Sequence, residues 1–135
     1  MDEPLLRKIN WMYFSIKEQY KFINSLNKSI EFDPFFCGLL KNEIYYYKIS
    51  LTLFKKSFDL FIESYSKNLF DEVRINNIKE IYLRRCLFNL NKSYELLKNN
   101  VHQVLTSNTI FQDLVNKETI LISSIKELGR HLELI

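Results

Sequence analysis

The clearest pattern in the sequence is a series of apolar residues whose spacing alternates between four and three positions. The series comprises Leu40, Ile44, Tyr47, Leu51, Phe54, Phe58, Phe61 and Tyr65. A heptad spacing sustained over this length is typical of a helix that packs at a shallow angle along another helix, as in bundles and coiled coils. The pattern therefore predicts a long helix over residues 38–67.

Three further stretches repeat apolar residues at the three- and four-residue spacing of an amphipathic helix. Their apolar positions are Ile9, Met12, Ile16, Ile23, Leu26 and Ile30 in the first, Leu83, Leu87, Leu90, Tyr94, Leu97, Val101 and Val104 in the second, and Leu114, Leu121, Ile125, Leu128, Leu132 and Ile135 in the third, where Glu118 is the one polar intruder. The sequence predicts helices over approximately residues 4–30, 71–105 and 109–133.

Several residues mark the ends of these helices. Pro4 suits the first turn of a helix, and Pro34 disfavours helical geometry at Asp33, so the first helix should end shortly before that residue. The heptad register lapses around residues 68–77, and the run that contains Asp71 can open the third helix.

The last two apolar series are offset by about three residues, and the mismatch falls on the segment from Thr106 to Thr109. Thr109 followed by Gln112 has the spacing of a capping box, which favours a turn before a fourth helix. One long helix with a stammer is the alternative.

Glycine and proline are scarce, with two of each in 135 residues and none of either between Gly38 and Gly129. A β-sandwich or barrel turns about every ten residues and usually uses these residues to do so. The sequence therefore predicts an all-α protein. We expect a single helical domain over residues 1–135, an elongated bundle or coiled coil of three or four helices with heptad seams.

The composition is that of a globular protein, with 47% hydrophobic and 26% charged residues and a formal net charge of +3. No apolar stretch reaches the length of a membrane span, and the first residues lack the pattern of a secretory signal. Cys37 and Cys86 stand apart, without the CxxC spacing of a metal or redox site. We expect an intracellular protein, cytoplasmic or nuclear, with reduced thiols; a single disulfide is the alternative.

Residues with catalytic or metal-binding potential do not form recognisable motifs. A metal site in a helical bundle typically uses Glu-x-x-His pairs, and the closest approach here is Glu127 with His131 four residues on. His102 stands alone, and no cysteine or serine lies beside a histidine in a nucleophile and base arrangement. The sequence therefore predicts no enzyme, no metal and no cofactor.

The heptad seams favour a structural subunit or adaptor that binds protein partners by helix packing, as a homo- or hetero-oligomer. With Ile44 at an a position, three lysines occupy e positions beside the seam of the second helix, where they can meet carboxylates of a facing helix. The last residues of the chain are apolar, so they would either dock on the rest of the bundle or continue or pair in a larger assembly. The predicted partner-binding residues of the seam and the C-terminus are Lys41, Lys48, Leu51, Lys55, Phe58, Leu132 and Ile135.

The segment over residues 31–38 contains three phenylalanines and is unusually apolar for a connection between helices. Loops normally run over the surface, so these rings either plug the end of the bundle or anchor a partner. Phe35 and Phe36 are therefore added to the predicted partner-binding residues.

A second class of function is membrane traffic, since SNARE proteins and tethering subunits combine a helical N-terminal domain with a long heptad helix. Only this general layout is shared. A SNARE helix has Gln or Arg at the central layer of a continuous seam, whereas Gln103 and Gln112 fall outside the heptad registers.

A third class is a small helical subunit that binds nucleic acid. The stretch from Arg74 to Lys98 carries six basic and two acidic side chains, and residues seven apart on a helix share a face. The residues predicted for such a face are Arg74, Arg84, Arg85 and Lys92. Solvation of an ordinary helix surface, or pairing with an acidic protein, accounts for the same charges.

Overall fold

A computed structural model describes residues 3–32, 34–69, 71–99 and 109–133 of the chain. The all-α prediction is confirmed: these residues form helices and short connections, with no strand among them, and the helices pack as a bundle. The elements are α1 (Glu3–Phe32), α2 (Pro34–Ser66), α3 (Glu72–Asn76), a π-helical segment (Asn77–Leu83), α4 (Arg84–Asn99) and α5 (Thr109–Glu133).

The chain divides into two compact units, Met1–Gly38 and Leu39–Ile135. The first is built on α1, whose predicted stripe is buried at Ile9, Met12, Ile16, Ile23 and Leu26. The helix ends at Phe32, as the proline two residues later predicts. The prediction of a single domain stays a prediction.

The second unit is organised around α2. The predicted seam of this helix is buried from Ile44 to Phe61 and half-buried at Tyr65, and the side chain of Leu40 lies outside the described residues. The helix begins at Pro34 and not near residue 38 as predicted, because proline at a first helical position already has the required φ and needs no N–H partner. The expected aromatic loop is therefore wrong: Phe35 and Phe36 belong to the first turn of α2.

The end of α2 shows how a chain without glycine at this point stops a helix. Asn68 adopts a left-handed conformation with φ 53°, which asparagine tolerates better than most residues. The N–H of Asn68 then donates to the carbonyl of Tyr65 at 3.3 Å, and the N–H of Leu69 donates to that of Ser64 at 2.8 Å. These two bonds form a Schellman motif, which satisfies carbonyls left open at the helix end.

The next helix begins at the predicted position, with Asp71 as its N-cap. The side chain of Asp71 accepts a hydrogen bond of 2.7 Å from the backbone N–H of Arg74. From there α3, the π-helical segment and α4 follow one another without a break. We call this continuous stretch, residues 72–99, the rod. The π-helical segment was not predicted, although it lies just after the lapse in the heptad register.

The predicted seam of α4 is wrong at two of its positions. Leu87 and Tyr94 are exposed, and the buried positions are Cys86 and Ser93, one residue earlier in each case. The reason is a close approach between α4 and α2 that only small side chains allow. The sequence contains no alanine, so cysteine and serine take the small positions.

On α2 the close approach follows a row of four buried polar residues spaced seven apart, which we call the polar row. These residues are Glu43, Ser50, Ser57 and Ser64. The Ser50 hydroxyl donates to the carbonyl of Cys86 at 2.8 Å, and the Cys86 thiol donates to the carbonyl of Ser50 at 3.0 Å. One heptad away, the Ser93 hydroxyl donates to the carbonyl of Glu43 at 2.8 Å. The two helices therefore run antiparallel, and side chains of each helix contact backbone carbonyls of the other.

The last helix, α5, packs against both the π-helical segment and α4. Leu114, Leu121 and Leu128 are completely buried along it. Because α5 lies beside α4, the two are separate helices, as the preferred interpretation predicted. The turn predicted near Thr106 lies outside the described residues.

Candidate functional site

The apolar residues predicted to bind partners lie mostly in the core of this chain. Leu51 is completely buried, Phe58 is 3% exposed and Leu132 is 1% exposed. A partner could contact such residues only if the helices of the bundle separated. Ile135 lies outside the described residues, as do the side chains of Phe35 and Phe36.

The three lysines predicted at e positions, Lys41, Lys48 and Lys55, are exposed on α2. The ammonium group of Lys55 lies 2.8 Å from Oδ2 of Asp59, one turn further along the same helix. Exposed pairs of this kind contribute at most about 0.5 kcal/mol to stability. A role of these lysines in partner binding stays a prediction.

Of the five large apolar side chains that the rod exposes among the described residues, Val73 stands apart near its start, and the other four form two pairs that are each seven residues apart. Ile81 and Phe88 form one pair, with Phe88 66% exposed, and Leu87 and Tyr94 form the other. Residues seven apart lie two turns apart on the same side of a helix. Sequence reasoning missed this surface, because Leu87 and Tyr94 were assigned to the buried seam and Phe88 to no seam.

Three basic residues lie on the same exposed side of α4 as Phe88. Arg84 pairs with Glu80 at 2.7 Å, and Arg85 is exposed at the next position. The ammonium group of Lys92 lies 5.2 Å from the ring centroid of Tyr46 on α2, a cation–π contact. We call this surface the outer face of the rod; it comprises Ile81, Arg84, Arg85, Leu87, Phe88, Lys92 and Tyr94.

Arg74 does not belong to the outer face. Its side chain is half-buried, unlike that of the exposed Lys92, and its Nη1 donates to the hydroxyl of Ser64 on α2 at 3.4 Å. The structure thus brings together three of the four residues predicted for a nucleic-acid face and separates the fourth.

The core contains a polar cluster where α2, α4 and α5 meet. It comprises Glu43, Tyr47, Ser93 and Glu118, each at most 1% exposed. The Ser93 hydroxyl lies within hydrogen-bond distance of both the Glu43 carbonyl and Oε1 of Glu118. Glu118 is the residue that interrupts the apolar series of the last helix, so the sequence marked one member of the cluster but not its neighbours.

The environment of the cluster favours the neutral form of Glu118. Burial raises the pKa of its carboxyl to about 8; the hydrogen bond with Ser93 acts in the opposite direction and the charge of Glu43 adds to the rise. Burial, together with the charge of Glu118, also raises the pKa of the Tyr47 hydroxyl. Ser93 has one hydroxyl hydrogen, and if it is donated to the Glu43 carbonyl, a protonated Glu118 can donate to Ser93 in turn. Because the cluster is enclosed, its arrangement can hold three helices in register.

The candidate metal ligands of the sequence do not converge. Nε2 of His131 lies 3.3 Å from Oε1 of Glu127, and Nη2 of Arg130 lies 2.6 Å from the same oxygen. Within the described part of the chain, no three side chains of His, Cys, Asp or Glu are placed to hold a metal ion. Cys86 is a buried free thiol, and burial raises its pKa to about 12, which disfavours the reactive thiolate.

Of the helices over residues 3–32, 34–66, 72–99 and 109–133, none combines the length and the apolar content needed to cross a membrane. No protein-family model, curated protein or solved structure matches the chain.

Proposed function

We propose that this chain is a non-enzymatic helical interaction subunit that binds a helix of a protein partner on the outer face of the rod. The observation that carries the proposal is the exposure of four large apolar side chains in two heptad-spaced pairs on one helix. Single exposed apolar residues are ordinary on a protein surface. The two pairs lie in two rows about 100° apart around the helix, with the exposed Arg84 between them. We call the two rows together the strip, and a partner helix could pack along it.

The charges beside the strip indicate the chemistry of the partner. Glu80 offsets Arg84 through their ion pair, while Arg85 and Lys92 leave a positive edge next to Phe88. A partner helix with apolar residues at heptad spacing and carboxylates along one flank would complement this surface. Phe88 and Tyr94 would be its anchors, since buried aromatic residues dominate the energy of many interfaces.

An intracellular location belongs to the same proposal. It is supported by Cys86, a free thiol that packs against the backbone of α2 at a position that only a small side chain can occupy. A reducing compartment keeps such thiols unpaired.

The double substitution Ile81→Asp/Phe88→Asp should abolish partner binding, because it places two carboxylates in the middle of the strip. The matched control is Thr52→Asp/Thr119→Asp, which adds the same charge at exposed positions of α2 and α5. The chain is purified with its bound proteins from cells that express it, and the partner retained is quantified by mass spectrometry. We expect wild type and control to retain the same partner and the double variant to retain less than about a tenth, as loss of two anchor residues implies.

Circular dichroism and the unfolding midpoint of the same samples report whether the double variant still folds, which the exposure of both residues predicts. Equal retention by all three chains would contradict the proposal. Light scattering on the purified wild type shows whether the partner is a second copy of this chain, in which case the double variant should be a monomer.

Nucleic acid is the second candidate, favoured by one observation: Phe88 is exposed between Arg85 and Lys92. An aromatic ring between basic side chains is the arrangement on which unpaired bases stack. If Arg84, Arg85 and Lys92 each neutralise one phosphate, affinity for a single strand should fall about 20-fold between 50 and 200 mM salt. Fluorescence anisotropy with a labelled oligonucleotide measures how the affinity depends on salt concentration, and Arg85→Glu should make this dependence weaker. Absent or salt-independent binding would eliminate this candidate.

A further inference from the structure

A cavity of about 310 Å³ lies between the C-terminal half of α2 and the first half of the rod, away from the outer face. α2 contributes Leu60, Glu63 and Ser64, and the rod contributes Arg74, Asn77, Ile78 and Tyr82. Ligand pockets span roughly 300–1,000 Å³, so this cavity suits a small molecule. An engineered cavity of about 150 Å³ holds one benzene molecule. Twice that volume accommodates a ring with a short side arm.

The π-helical segment shapes this cavity. Three of its residues, Asn77, Ile78 and Tyr82, line the wall. At the end of the segment the N–H of Arg84 donates to the carbonyl of Lys79, five residues back, as in a widened helical turn. With bonds at this spacing, Asn77 and Tyr82 lie one turn apart on the same side. Segments of this kind are rare and are frequently found at functional sites.

The polar groups of the wall surround an arginine that has hydrogen-bond donors to spare. A guanidinium has five N–H donors, and one of those on Arg74 is used by the Ser64 hydroxyl. Glu63, the carboxylate of the wall, pairs with Lys67 at 3.2 Å. Among the residues that the structure describes, no carboxylate lies within ion-pair distance of Arg74. The charge of Glu63 acts on Arg74 from a longer distance, and the remaining N–H donors of the guanidinium can still bind a ligand.

We propose that this cavity binds a small monocarboxylate with an aromatic or aliphatic body. The guanidinium of Arg74 binds the carboxylate of the ligand through two parallel hydrogen bonds. The Leu60 side chain and the buried Ile78 contact the apolar body, and the Tyr82 ring and Asn77 amide close the sides. The negative charge of Glu63 in the same wall repels a doubly charged phosphate more strongly than a singly charged carboxylate, because the repulsion scales with the charge of the ligand.

The test uses 3-phenylpropionate as the probe and the full chain labelled with ¹⁵N. We expect saturable shifts of the backbone signals of residues 60–64 and 74–82 in two-dimensional NMR spectra, and little change elsewhere. The neutral analogue 3-phenylpropan-1-ol has the same body without the carboxylate and should bind at least 10-fold more weakly. This comparison needs no substitution, so it does not depend on the folding of a variant.

The variant Arg74→Gln removes the charge and keeps a polar side chain with an amide donor, and it should weaken binding of the probe at least 10-fold. The matched control is Arg130→Gln, which removes an exposed arginine of α5 and should bind the probe like wild type. Absence of saturable shifts in the two segments would overturn the proposal. Equal binding of the alcohol, or unchanged affinity of Arg74→Gln, would overturn it as well.

Discussion

Raising the pH from 5 to 8.5 should lower the free energy of unfolding of this protein by about 4 kcal/mol, because Glu118 must lose its proton inside the core. The carboxyl is completely buried where α2, α4 and α5 meet. Its Oε1 contacts Ser93, and no group of the described residues donates a hydrogen bond to its Oε2. An ionised Glu118 would therefore be a buried charge with a second negative group, Glu43, nearby.

The direction of the effect follows from the two pKa values of Glu118. The pKa is raised from an ordinary value of 4.5 to about 8 in the folded protein, by burial foremost. Between these values the folded state binds more protons than the unfolded state, so stability falls as the pH rises through this window. One pKa unit corresponds to about 1.4 kcal/mol, and the part of the window that lies between pH 5 and 8.5 gives the loss of about 4 kcal/mol. Below pH 4.5 this carboxyl adds no pH dependence.

The substitution Glu118→Gln should remove this dependence, since the amide has the same shape and cannot ionise. At pH 8.5 the variant should be more stable than wild type by several kcal/mol, and at pH 5 the two should be similar. Urea unfolding followed by circular dichroism at pH 5, 6, 7 and 8.5 measures the stability of wild type and of the variant. The matched control is Glu95→Gln, an exposed carboxylate of α4, which should leave the pH profile as in wild type. A profile of Glu118→Gln that parallels wild type would show that Glu118 is not the group that titrates.

The hydrophobic pattern predicted the elements of this fold because the pattern reflects what each helix must bury. The seam of α2 is buried at every position described from Ile44 to Phe61. The end of α1 at Phe32 and the start of α3 after Asp71 were predictable too, because proline and an aspartate cap act through local geometry.

Which side of α4 faces the core was not predictable from hydrophobicity. Leu87 and Tyr94 are more apolar than the neighbouring residues that are buried, Cys86 and Ser93. Those two positions face the backbone of α2, where the space for a side chain and the available carbonyl acceptors decide which residue fits. The candidate interaction surface was missed for the same reason, since it consists of what this orientation of α4 leaves exposed.

The cavity beside Arg74 escaped prediction because it depends on backbone geometry. No residue type specifies a π-helical turn, and the sequence signal was limited to a lapse in the heptad register. Lining residues such as Asn77 and Tyr82 come from that turn, and Leu60 and Ser64 come from a helix more than ten residues earlier.

Ser50→Leu should destabilise the protein by about 3 kcal/mol or more, because the close approach of α2 and α4 has no room for a larger side chain. The Ser50 hydroxyl lies 2.8 Å from the carbonyl oxygen of Cys86 and 3.1 Å from its sulfur. A leucine here forces the helices apart. The separation would also weaken the bond from Ser93 to the Glu43 carbonyl one heptad away.

Two variants separate the loss of space from the loss of a hydrogen bond. Ser50→Ala keeps the small volume and loses only the hydroxyl, so it should cost about 1 kcal/mol. Thr52→Leu adds a similar side chain at an exposed position of the same helix and should change stability by less than about 0.5 kcal/mol. Urea unfolding at pH 6 gives all three values. A Ser50→Leu variant as stable as Ser50→Ala would contradict the close approach.

The substitution Ser50→Leu also tests whether the packing of the core determines which side chains the outer face of the rod exposes. As long as Cys86 and Ser93 face α2, Leu87, Phe88 and Tyr94 face outward. If leucine at position 50 separates α4 from α2, the rod can rotate and bury its larger side chains. Partner binding should then fall in Ser50→Leu even where the chain stays helical, while Thr52→Leu binds as wild type. Retention of the partner by a folded but destabilised Ser50→Leu chain would show that binding does not depend on the orientation of the rod.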